Sequence, residues 1–231
     1  MIENFKLSNR LQKCADMVTK NSKIADIGTD HAYLPIYLAL NKYISFALAC
    51  DLREGPLRIA QKNISGYNLN SVISTRISNG LENINENEVD EIIIAGMGGN
   101  MIVNILKNCS WKDKISKKFI LQPMKYENRL RKFLYENGYK IEKEEAVICS
   151  EKVYTVMLVK FIGEKISFTP EQEYIGALLD NKNSEINFET KAYLRKQIKD
   201  LKNHQKGAIS KQNKIQEKYY CDIISFLEKF I

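Results

Sequence analysis

Short apolar runs rich in β-branched residues alternate with amphipathic stretches between residues 8 and 160. Each apolar run ends at Gly, Asp, Asn or Pro, residues with which loops commonly begin. Five of these runs are predicted strands, and in chain order they read SKIADIG, ISFALACD, SVISTRIS, DEIIIAGMG and KKFILQP. This alternation is typical of βα units arranged around a mostly parallel sheet.

The amphipathic stretches between these runs have apolar residues at helical spacing. They read AYLPIYLALNK, EGPLRIAQKNISGYN, NMIVNILKN and YENRLRKFLYENG, and Gly138 is placed to end the last of them. The next segment, YKIEKEEAVICSEKVYTVMLVKF, offers two further extended runs with no helix between them. We therefore predict an α/β fold with a mostly parallel, seven-stranded sheet that finishes in an antiparallel hairpin.

The chain changes character at about Thr169, where β-rich runs give way to polar sequence with apolar residues at helical spacing. A break near His204 to Gly207 would fold this stretch into an antiparallel helical hairpin, a short coiled coil. We therefore divide the chain into residues 1–164 and a C-terminal helical domain, residues 165–231. Two interpretations of the hairpin stay open: packing or dimerisation, and an arm that binds substrate. Its predicted apolar seam contains Leu194, Ile198, Leu201, Ala208, Ile215 and Tyr219, and it is interrupted by Gln205 and Gln212.

The composition of the 231 residues is that of a globular protein, with 44% hydrophobic and 27% charged residues. No apolar run approaches the roughly 18 residues that a membrane-spanning helix requires, and the first residues lack the features of a secretory signal. The five cysteines are scattered and never in CxxC spacing, which indicates neither a disulfide framework nor a zinc site. We therefore expect a cytoplasmic protein with no membrane segment and no metal.

The net charge of +7 and the pI near 9.0 favour a polyanionic partner without identifying one. A solvated charged face and a coding bias toward Lys, Asn and Ile are simpler explanations of the same basicity. If a basic patch binds nucleic acid, the best candidate surrounds the fifth predicted strand and consists of Lys112, Lys114, Lys117, Lys118, Lys125, Arg129, Arg131 and Lys132.

Chemistry is concentrated where the first strand ends, in the stretch IADIGTDHAYLP. Open α/β sheets bind ligands at the carboxyl ends of their strands. Asp51 closes the second strand, 23 residues after Gly28, where an acid commonly accepts hydrogen bonds from ribose hydroxyls. The first two strand ends together predict a site for a nucleoside-containing ligand.

The number of glycines in the turn after the first strand limits which nucleoside-containing ligands the site can bind. The turn GTDHAY contains only Gly28, whereas a dinucleotide pyrophosphate usually requires GxGxxG, and Asp30 adds negative charge beside any phosphate. S-adenosylmethionine has no phosphate and carries an ammonium and a sulfonium. Asp26 and Asp30 can accept hydrogen bonds from that ammonium while Asp51 holds the ribose. We therefore predict S-adenosylmethionine as the cofactor.

Later strand ends supply further candidates. Residues 79–80, Asn-Gly, end the third strand where an amide can read the adenine edge. The fourth strand ends in IIIAGMGGN, whose glycines let the backbone approach a ligand closely. The fifth ends in Gln122-Pro123-Met124, which offers an amide and a rigid turn. Taken singly, each of these is equally an ordinary turn.

The motifs LSNRL, DIGTDHAYLP, EGP, AGMGG and ILQP together resemble one family, the bacterial tRNA (adenine-22-N1)-methyltransferases. The resemblance covers essentially the whole chain. It implies a Rossmann-like class I methyltransferase fold with a C-terminal helical hairpin, and methylation of N1 of adenine 22 in tRNA. Many relatives look to have Asp where this sequence has Asn79 and Asn where it has Met124.

The implied site residues fall into three groups. The implied cofactor contacts are Asp26, Gly28, Thr29, His31, Asp51, Leu52, Asn79, Gly80, Ala95, Gly96 and Met97. The implied substrate contacts are Arg10, Gly98, Gly99, Gln122 and Pro123. We predict Asp30 as a catalytic carboxylate, because it follows the cofactor turn by one residue and can stabilise charge at the adenine amino group. Arg10, on an N-terminal helix over the site, is the second catalytic candidate.

These implications leave alternatives. A methyltransferase that acts on a small molecule or a protein would have the same cofactor site. A nicotinamide oxidoreductase is disfavoured by the missing glycines. A non-catalytic RNA-binding or assembly protein with a relic pocket is a third possibility. We expect tRNA as the partner and a monomer or weak homodimer.

Overall fold

The computed structural model describes residues 5–179 and 186–231, and these build one seven-stranded sheet with helices on both faces. The order across the sheet is β3-β2-β1-β4-β5-β7-β6; β1 to β5 run parallel, and β7 is antiparallel to β5 and β6. The predicted sheet and its terminal hairpin are confirmed. The strands are β1 (Ser22–Ile27), β2 (Ile44–Asp51), β3 (Ile73–Ile77), β4 (Glu91–Met97), β5 (Lys118–Pro123), β6 (Tyr139–Cys149) and β7 (Lys152–Phe161).

Helices cover both faces of this sheet, which explains why its strands read as nearly continuous apolar runs. Along β1, Ile24 packs toward α1, α2 and α3, whereas Ala25 and Ile27 pack toward α4 and α5. The predicted helices are confirmed, and the short α6 was not predicted. The helices are α1 (Asn9–Ala15), α2 (Tyr33–Leu40), α3 (Glu54–Gly66), α4 (Gly99–Lys107), α5 (Glu127–Glu136), α6 (Gln172–Ile175), α7 (Phe188–Ser210) and α8 (Lys214–Leu227), with single 3₁₀ turns at Glu86–Glu88 and Glu228–Phe230.

The strand order creates a crevice at the carboxyl end of β1. From β1 the chain builds β2 and β3 on one side, and it then crosses to build β4 and β5 on the other side. The connection that follows β1 runs to one side and the connection that follows β4 runs to the other. Open α/β sheets bind ligands in the crevice between two such connections. The site residues predicted from the sequence lie at this edge.

The C-terminal hairpin is confirmed, but the predicted position of its turn is wrong. Helix α7 continues through Gly207 to Ser210, and the chain turns at Gln212, whose φ is +54°. Asn213 then begins α8 by accepting a hydrogen bond from the backbone N–H of Gln216. A solvent-exposed glycine costs a helix only about 1 kcal/mol, which packing on both sides of it offsets. Of the predicted seam residues, Ile215 does not join the apolar core, because it is 85% exposed, whereas Tyr219 packs against that core.

A buried ion pair fixes the C-terminal region on the sheet. Arg131 of α5 is fully buried and donates to Glu144 of β6 (Nη2 to Oε1, 2.6 Å) and to the hydroxyl of Tyr193 on α7 (2.9 Å). Its Nη1 donates to the carbonyl oxygens of Glu173 and Tyr174, at 3.0 and 2.8 Å. Burial alone lowers the pKa of Arg131, but Glu144 and Tyr193 raise it overall, so the guanidinium stays charged. One side chain thus joins α5, β6, α6 and α7.

The predicted basic patch is wrong as a single surface. Lys112 precedes β5 and Lys125 follows it, so the two ammonium groups belong to opposite edges of the sheet. Arg131 is buried in the ion pair described above, and Lys117 is buried with its ammonium donating to the carbonyl of Val89 (3.0 Å). Residues that are close in sequence on either side of a strand emerge at its two ends.

Neither a membrane span nor a metal site is found along residues 5–179 and 186–231. No helix there is long and apolar enough to cross a bilayer. No group of three or more His, Cys, Asp or Glu residues in that part of the chain is arranged to hold a metal ion. The cysteines are free thiols, and burial raises the pKa of Cys14 and Cys50 to about 12.

Candidate active site

The loop after β1 needs a glycine at its first position. Gly28 has a φ of +77°, a conformation that strains other residues, and a Cβ there would overlap the side chain of Met97. The N–H groups of Gly28 and Thr29 donate to the carbonyl oxygen of Cys50 at 2.7 and 2.8 Å. These bonds hold the loop against the end of β2, and cavities open on both sides of Gly28.

The first cavity, of about 270 Å³, combines apolar walls with hydrogen-bond acceptors. Oδ1 of Asp51 accepts from the N–H of Arg53 at 2.8 Å, while Oδ2 has no protein donor within the described residues. Nδ2 of Asn79 donates to Glu82 at 2.8 Å, which leaves its Oδ1 for a ligand. The lining residues are Ile27, Gly28, Asp51, Leu52, Arg53, Ser78, Asn79, Gly80, Met97, Gly98, Met101 and Ile105.

The second cavity, of about 310 Å³, contains a buried acid. Asp26 is 8% exposed, and burial raises its pKa to about 6, a shift that the nearby side chain of Thr29 partly offsets. The Thr29 hydroxyl itself makes no hydrogen bond of normal geometry to the described residues, although it is buried. Both groups would therefore gain from a polar ligand. The lining residues are Arg10, Leu11, Asp26, Gly28, Thr29, Asp30, His31, Ala32, Tyr33, Leu34, Ala95 and Gly96.

Helix α1 reaches the second cavity through Arg10. Nη1 of Arg10 donates to Oε1 of Gln122 at 2.6 Å, and the same oxygen accepts from the N–H of Gly96 at 3.0 Å. Gln122 is fully buried at the end of β5 and also donates to the carbonyl of Pro123 (2.8 Å). The guanidinium is thus fixed over the ends of β4 and β5, where the N-terminal helix was predicted to lie.

Asp30 and His31 form the exposed side of the second cavity. Oδ2 of Asp30 lies 3.0 Å from Nε2 of His31, and the Asp30 side chain is 70% exposed. The His31 ring stacks on Tyr33 with 5.0 Å between centroids, and Phe5 packs edge-on against Tyr33. A carboxylate held in this way is accessible to a second molecule that enters the cavity.

Every residue predicted to contact the cofactor lines one cavity or the other. The two catalytic candidates line the second, and Gly98 lines the first. The predicted substrate residues Gly99, Gln122 and Pro123 line neither of these two cavities, because all three are buried in the protein. Gln122 affects the second cavity only indirectly, because its side chain accepts a hydrogen bond from Arg10, which lines that cavity.

Sequence reasoning missed part of the lining. Met101 and Ile105 form an apolar wall of the first cavity from helix α4. Their spacing of four residues on a helix that begins at the glycine-rich turn was the available signal. Leu11, Arg53 and Ser78 carried no comparable signal, because each reaches its cavity through the folding of a neighbouring loop or helix.

The arrangement favours one kind of chemistry. Carboxylates lie on both sides of one glycine, and there is no run of glycine N–H groups at the β1 turn to hold a pyrophosphate. The site therefore suits a nucleoside in the first cavity and a positively charged group beside Asp26 in the second, with space for another reactant near Asp30.

Comparisons with known proteins agree over most of the chain. Residues 7–157 match the family model of a methyltransferase domain. The tRNA (adenine(22)-N(1))-methyltransferase of Bacillus subtilis (strain 168) is 40% identical over 161 residues, which span 69% of this chain and 67% of that protein. The crystal structure of the B. subtilis m1A22 tRNA methyltransferase TrmK has a TM-score of 0.83 at 31% identity, covering 99% of this chain and 100% of that one. M. capricolum TrmK in complex with S-adenosylhomocysteine has a TM-score of 0.79 at 29% identity, covering 97% and 99%.

Proposed function

Since this chain belongs to the bacterial tRNA (adenine-22-N1)-methyltransferase family, we propose that it transfers a methyl group from S-adenosylmethionine to N1 of adenine 22 in tRNA. The observation that carries the proposal is the pair of cavities that meet at Gly28, one beside Asp51 and the other beside Asp26 and Asp30. We assign the nucleoside of the methyl donor to the first cavity and the amino-acid tail and target base to the second.

The residues present fit this cofactor. The buried Asp26 and the unpartnered Thr29 hydroxyl suit the amino-acid end of the donor. The free Oδ2 of Asp51 can accept from a ribose hydroxyl, and the free Oδ1 of Asn79 can accept from the adenine amino group. When bound, the cofactor supplies an electrophilic methyl group on a sulfonium.

The protein's contribution to the reaction is chiefly positioning. Adenine N1 has an in-plane lone pair, so alignment matters more than a strong base. Arg10, held by Gln122, is placed to contact the base or an adjoining phosphate. The carboxylate of Asp30 is placed to stabilise positive charge as it develops on the purine and to ease later loss of an amino proton.

The target base must leave its stack to enter the second cavity, at a cost of a few kcal/mol. The protein must therefore bind the RNA that surrounds the extruded base. We propose that residues 1–164 bind the donor and the target base while the hairpin of residues 165–231 contributes to RNA binding, by charge and shape. A tRNA-modifying enzyme of this kind would work in the cytoplasm, among its substrates.

One experiment tests the proposal directly. The purified protein is incubated with labelled S-adenosylmethionine and a tRNA transcript, and the modified nucleoside is mapped. We expect 1-methyladenosine at position 22 and no labelling of a matched transcript with guanosine there. Label at another position, or in a small molecule or protein but never in tRNA, would overturn the proposal. Salt-insensitive RNA binding in a mobility-shift titration would favour one of the other methyltransferase classes.

Substitution of the buried acid will change stability and affinity in opposite directions. Because folding raises the pKa of Asp26 from 3.8 to about 6, the folded protein binds its proton more tightly than the unfolded chain does. Wild-type stability therefore falls as pH rises from roughly 4 to 6, by up to about 3 kcal/mol. Ligand-free Asp26→Asn should be the more stable protein in urea at pH 8, and the difference should vanish toward pH 4.

The same variant should bind S-adenosylmethionine more weakly in calorimetry, because the amide cannot neutralise an ammonium. The matched control is Asp16→Asn, an exposed aspartate at the end of α1. It should change neither quantity. If Asp26→Asn and wild type were equally stable at pH 8, burial would not destabilise the charged form of Asp26. If the affinity for S-adenosylmethionine were unchanged, the ammonium of the cofactor would bind elsewhere.

A further inference from the structure

A third cavity, of about 400 Å³, lies between the loop that follows β5 and helix α7 of the hairpin. Met124 and Tyr126 line it from the loop, and Gln197, Asp200 and His204 line it from α7. Met124 also contacts the site already described, since its sulfur lies 3.9 Å from Nε2 of Gln122. The third cavity therefore continues the same edge of the sheet beyond Arg10 and β5.

A side-chain amide on the wall of this cavity has no hydrogen-bond partner among the described residues. Gln197 is 7% exposed, and its side chain makes no hydrogen bond to any residue among 5–179 and 186–231. Its neighbour Lys196 is by contrast satisfied, donating to Glu127 at 2.8 Å. The amide atoms themselves are open to the cavity, where solvent can reach them. An amide left in this state on the wall of a cavity is suited to a ligand that supplies the missing donor and acceptor.

Two cations lie against the ring of Tyr126, and one of them, Lys125, lines the cavity. Nζ of Lys125 lies 5.3 Å from the centroid of the Tyr126 ring, and the guanidinium carbon of Arg129 lies 4.9 Å from it. Neither cation forms an ion pair with a carboxylate in the described part of the chain, unlike Lys132 and Lys196 nearby. The methylenes of Lys125 also lie 3.7 Å from where a Cβ of Gly98 would be. Lys125 therefore lies between the first cavity and the third, and Arg129 contacts the same Tyr126 ring.

The loop that presents these groups is held in an unusual conformation. Tyr126 has a φ of +62°, which costs a residue with a Cβ roughly 1–2 kcal/mol. It is held there from behind, because the N–H of Gly99 donates to the carbonyl of Lys125 at 2.8 Å and a Cβ at Gly99 would overlap the carbonyl oxygen of Tyr126. Such strain, imposed by neighbours, is typical of pre-organised binding sites.

We infer that the third cavity binds an unpaired nucleotide of the tRNA that adjoins the target adenosine. This inference rests on the proposed function. The phosphate would contact Lys125 and Arg129, and the base would hydrogen-bond to Gln197, with Asp200 as a further acceptor. Extrusion of one nucleotide strains its neighbours, and a second pocket along the same edge would hold the displaced strand open.

The test combines a protein variant with altered substrates. Gln197→Leu removes the amide at similar volume, and Gln205→Leu on the same helix, which lines no part of this cavity, is the matched control. Each protein is assayed on an intact tRNA transcript and on transcripts that lack the base immediately 5′ or immediately 3′ of adenosine 22. The measured quantities are KM for the tRNA, kcat, and the affinity for S-adenosylmethionine.

For the wild type, one of the two abasic transcripts should raise KM about tenfold, as expected for the loss of a hydrogen-bonded base. Gln197→Leu should raise KM for intact tRNA about as much, and should show no further penalty on that abasic transcript. Its cofactor affinity should stay within about twofold of wild type, because the amide does not touch the donor site. Gln205→Leu should behave as the wild type does.

The inference would be wrong if the increases in KM caused by Gln197→Leu and by the abasic transcript were additive. It would also be wrong if the wild type had equal KM values on all three transcripts. Either result would assign Gln197 a packing role. If the wild type methylates adenosine 22 normally in those cases, the proposed function stands without the third cavity. If the wild type leaves adenosine 22 of the intact transcript unmethylated, the proposed function and the inference both fail.

Discussion

Replacement of Asp30 by asparagine should lower kcat for tRNA methylation by about 10²–10⁴-fold, the range expected for a positioned acid or base. Asparagine keeps the size of the side chain and removes the charge that stabilises the developing cation. The carboxylate is 70% exposed and lies 3.0 Å from His31, so its loss should not disturb the core. Steady-state methylation of a tRNA transcript at saturating concentrations of both substrates measures the effect.

Two readouts separate a chemical role of Asp30 from a structural one. Affinity for S-adenosylmethionine should stay within about threefold of wild type, and the urea midpoint should not change. Asp16→Asn, which changes an exposed aspartate at the end of α1, should keep wild-type kcat. Near-normal turnover by Asp30→Asn would remove Asp30 from the chemistry and leave Arg10 as the remaining catalytic candidate.

Replacement of Arg131 by methionine should destabilise the protein by about 3–5 kcal/mol, because it leaves the carboxylate of Glu144 buried and unpaired. Both side chains are fully buried, and Tyr193 and two carbonyl oxygens would lose their donor as well. For a chain of this length the loss corresponds to a fall in Tm of roughly 6–20 °C. Urea unfolding and calorimetry measure it.

The double variant Arg131→Met/Glu144→Met should recover much of this stability, since replacing both partners of a buried pair with apolar groups is often close to neutral. The control is Lys132→Met, which removes a half-exposed ion pair with Glu173 across the same interface. That pair is worth at most about 1 kcal/mol. An Arg131→Met protein as stable as wild type would show that the ion pair does not hold the hairpin.

This ion pair also limits how the role of the hairpin can be tested. Deleting the residues after Phe168 would remove Tyr193 and expose Arg131 and Glu144, so a loss of RNA binding could not be separated from a loss of stability. Variants of exposed residues avoid the problem. Lys199→Ala and Lys206→Ala each remove one exposed lysine of α7 that has no carboxylate partner in the described residues.

Part of the site was predictable because strand ends are local features. A buried apolar run that stops at glycine or an acid identifies the end of a strand, and parallel strands bring those ends to one edge. For this reason the order of residues along the chain was enough to group Asp26, Gly28 and Asp51. Turn positions are less local: the hairpin turn was misplaced because Gly207 is tolerated inside a long helix.

By itself, the sequence determined the order of strands and helices, the class of ligand at the end of β1, and the family. Each depends on residue type at short spacing, which periodicity and turn chemistry express directly. Only the tertiary structure decided that Gln122 supports Arg10 from behind and that Arg131 joins the hairpin to the sheet. It alone also places Gln197 on a cavity wall with no hydrogen bond to the described residues. Those facts depend on contacts between residues that are distant in the chain. Desolvation and hydrogen bonding at such contacts produce no periodic pattern in the sequence.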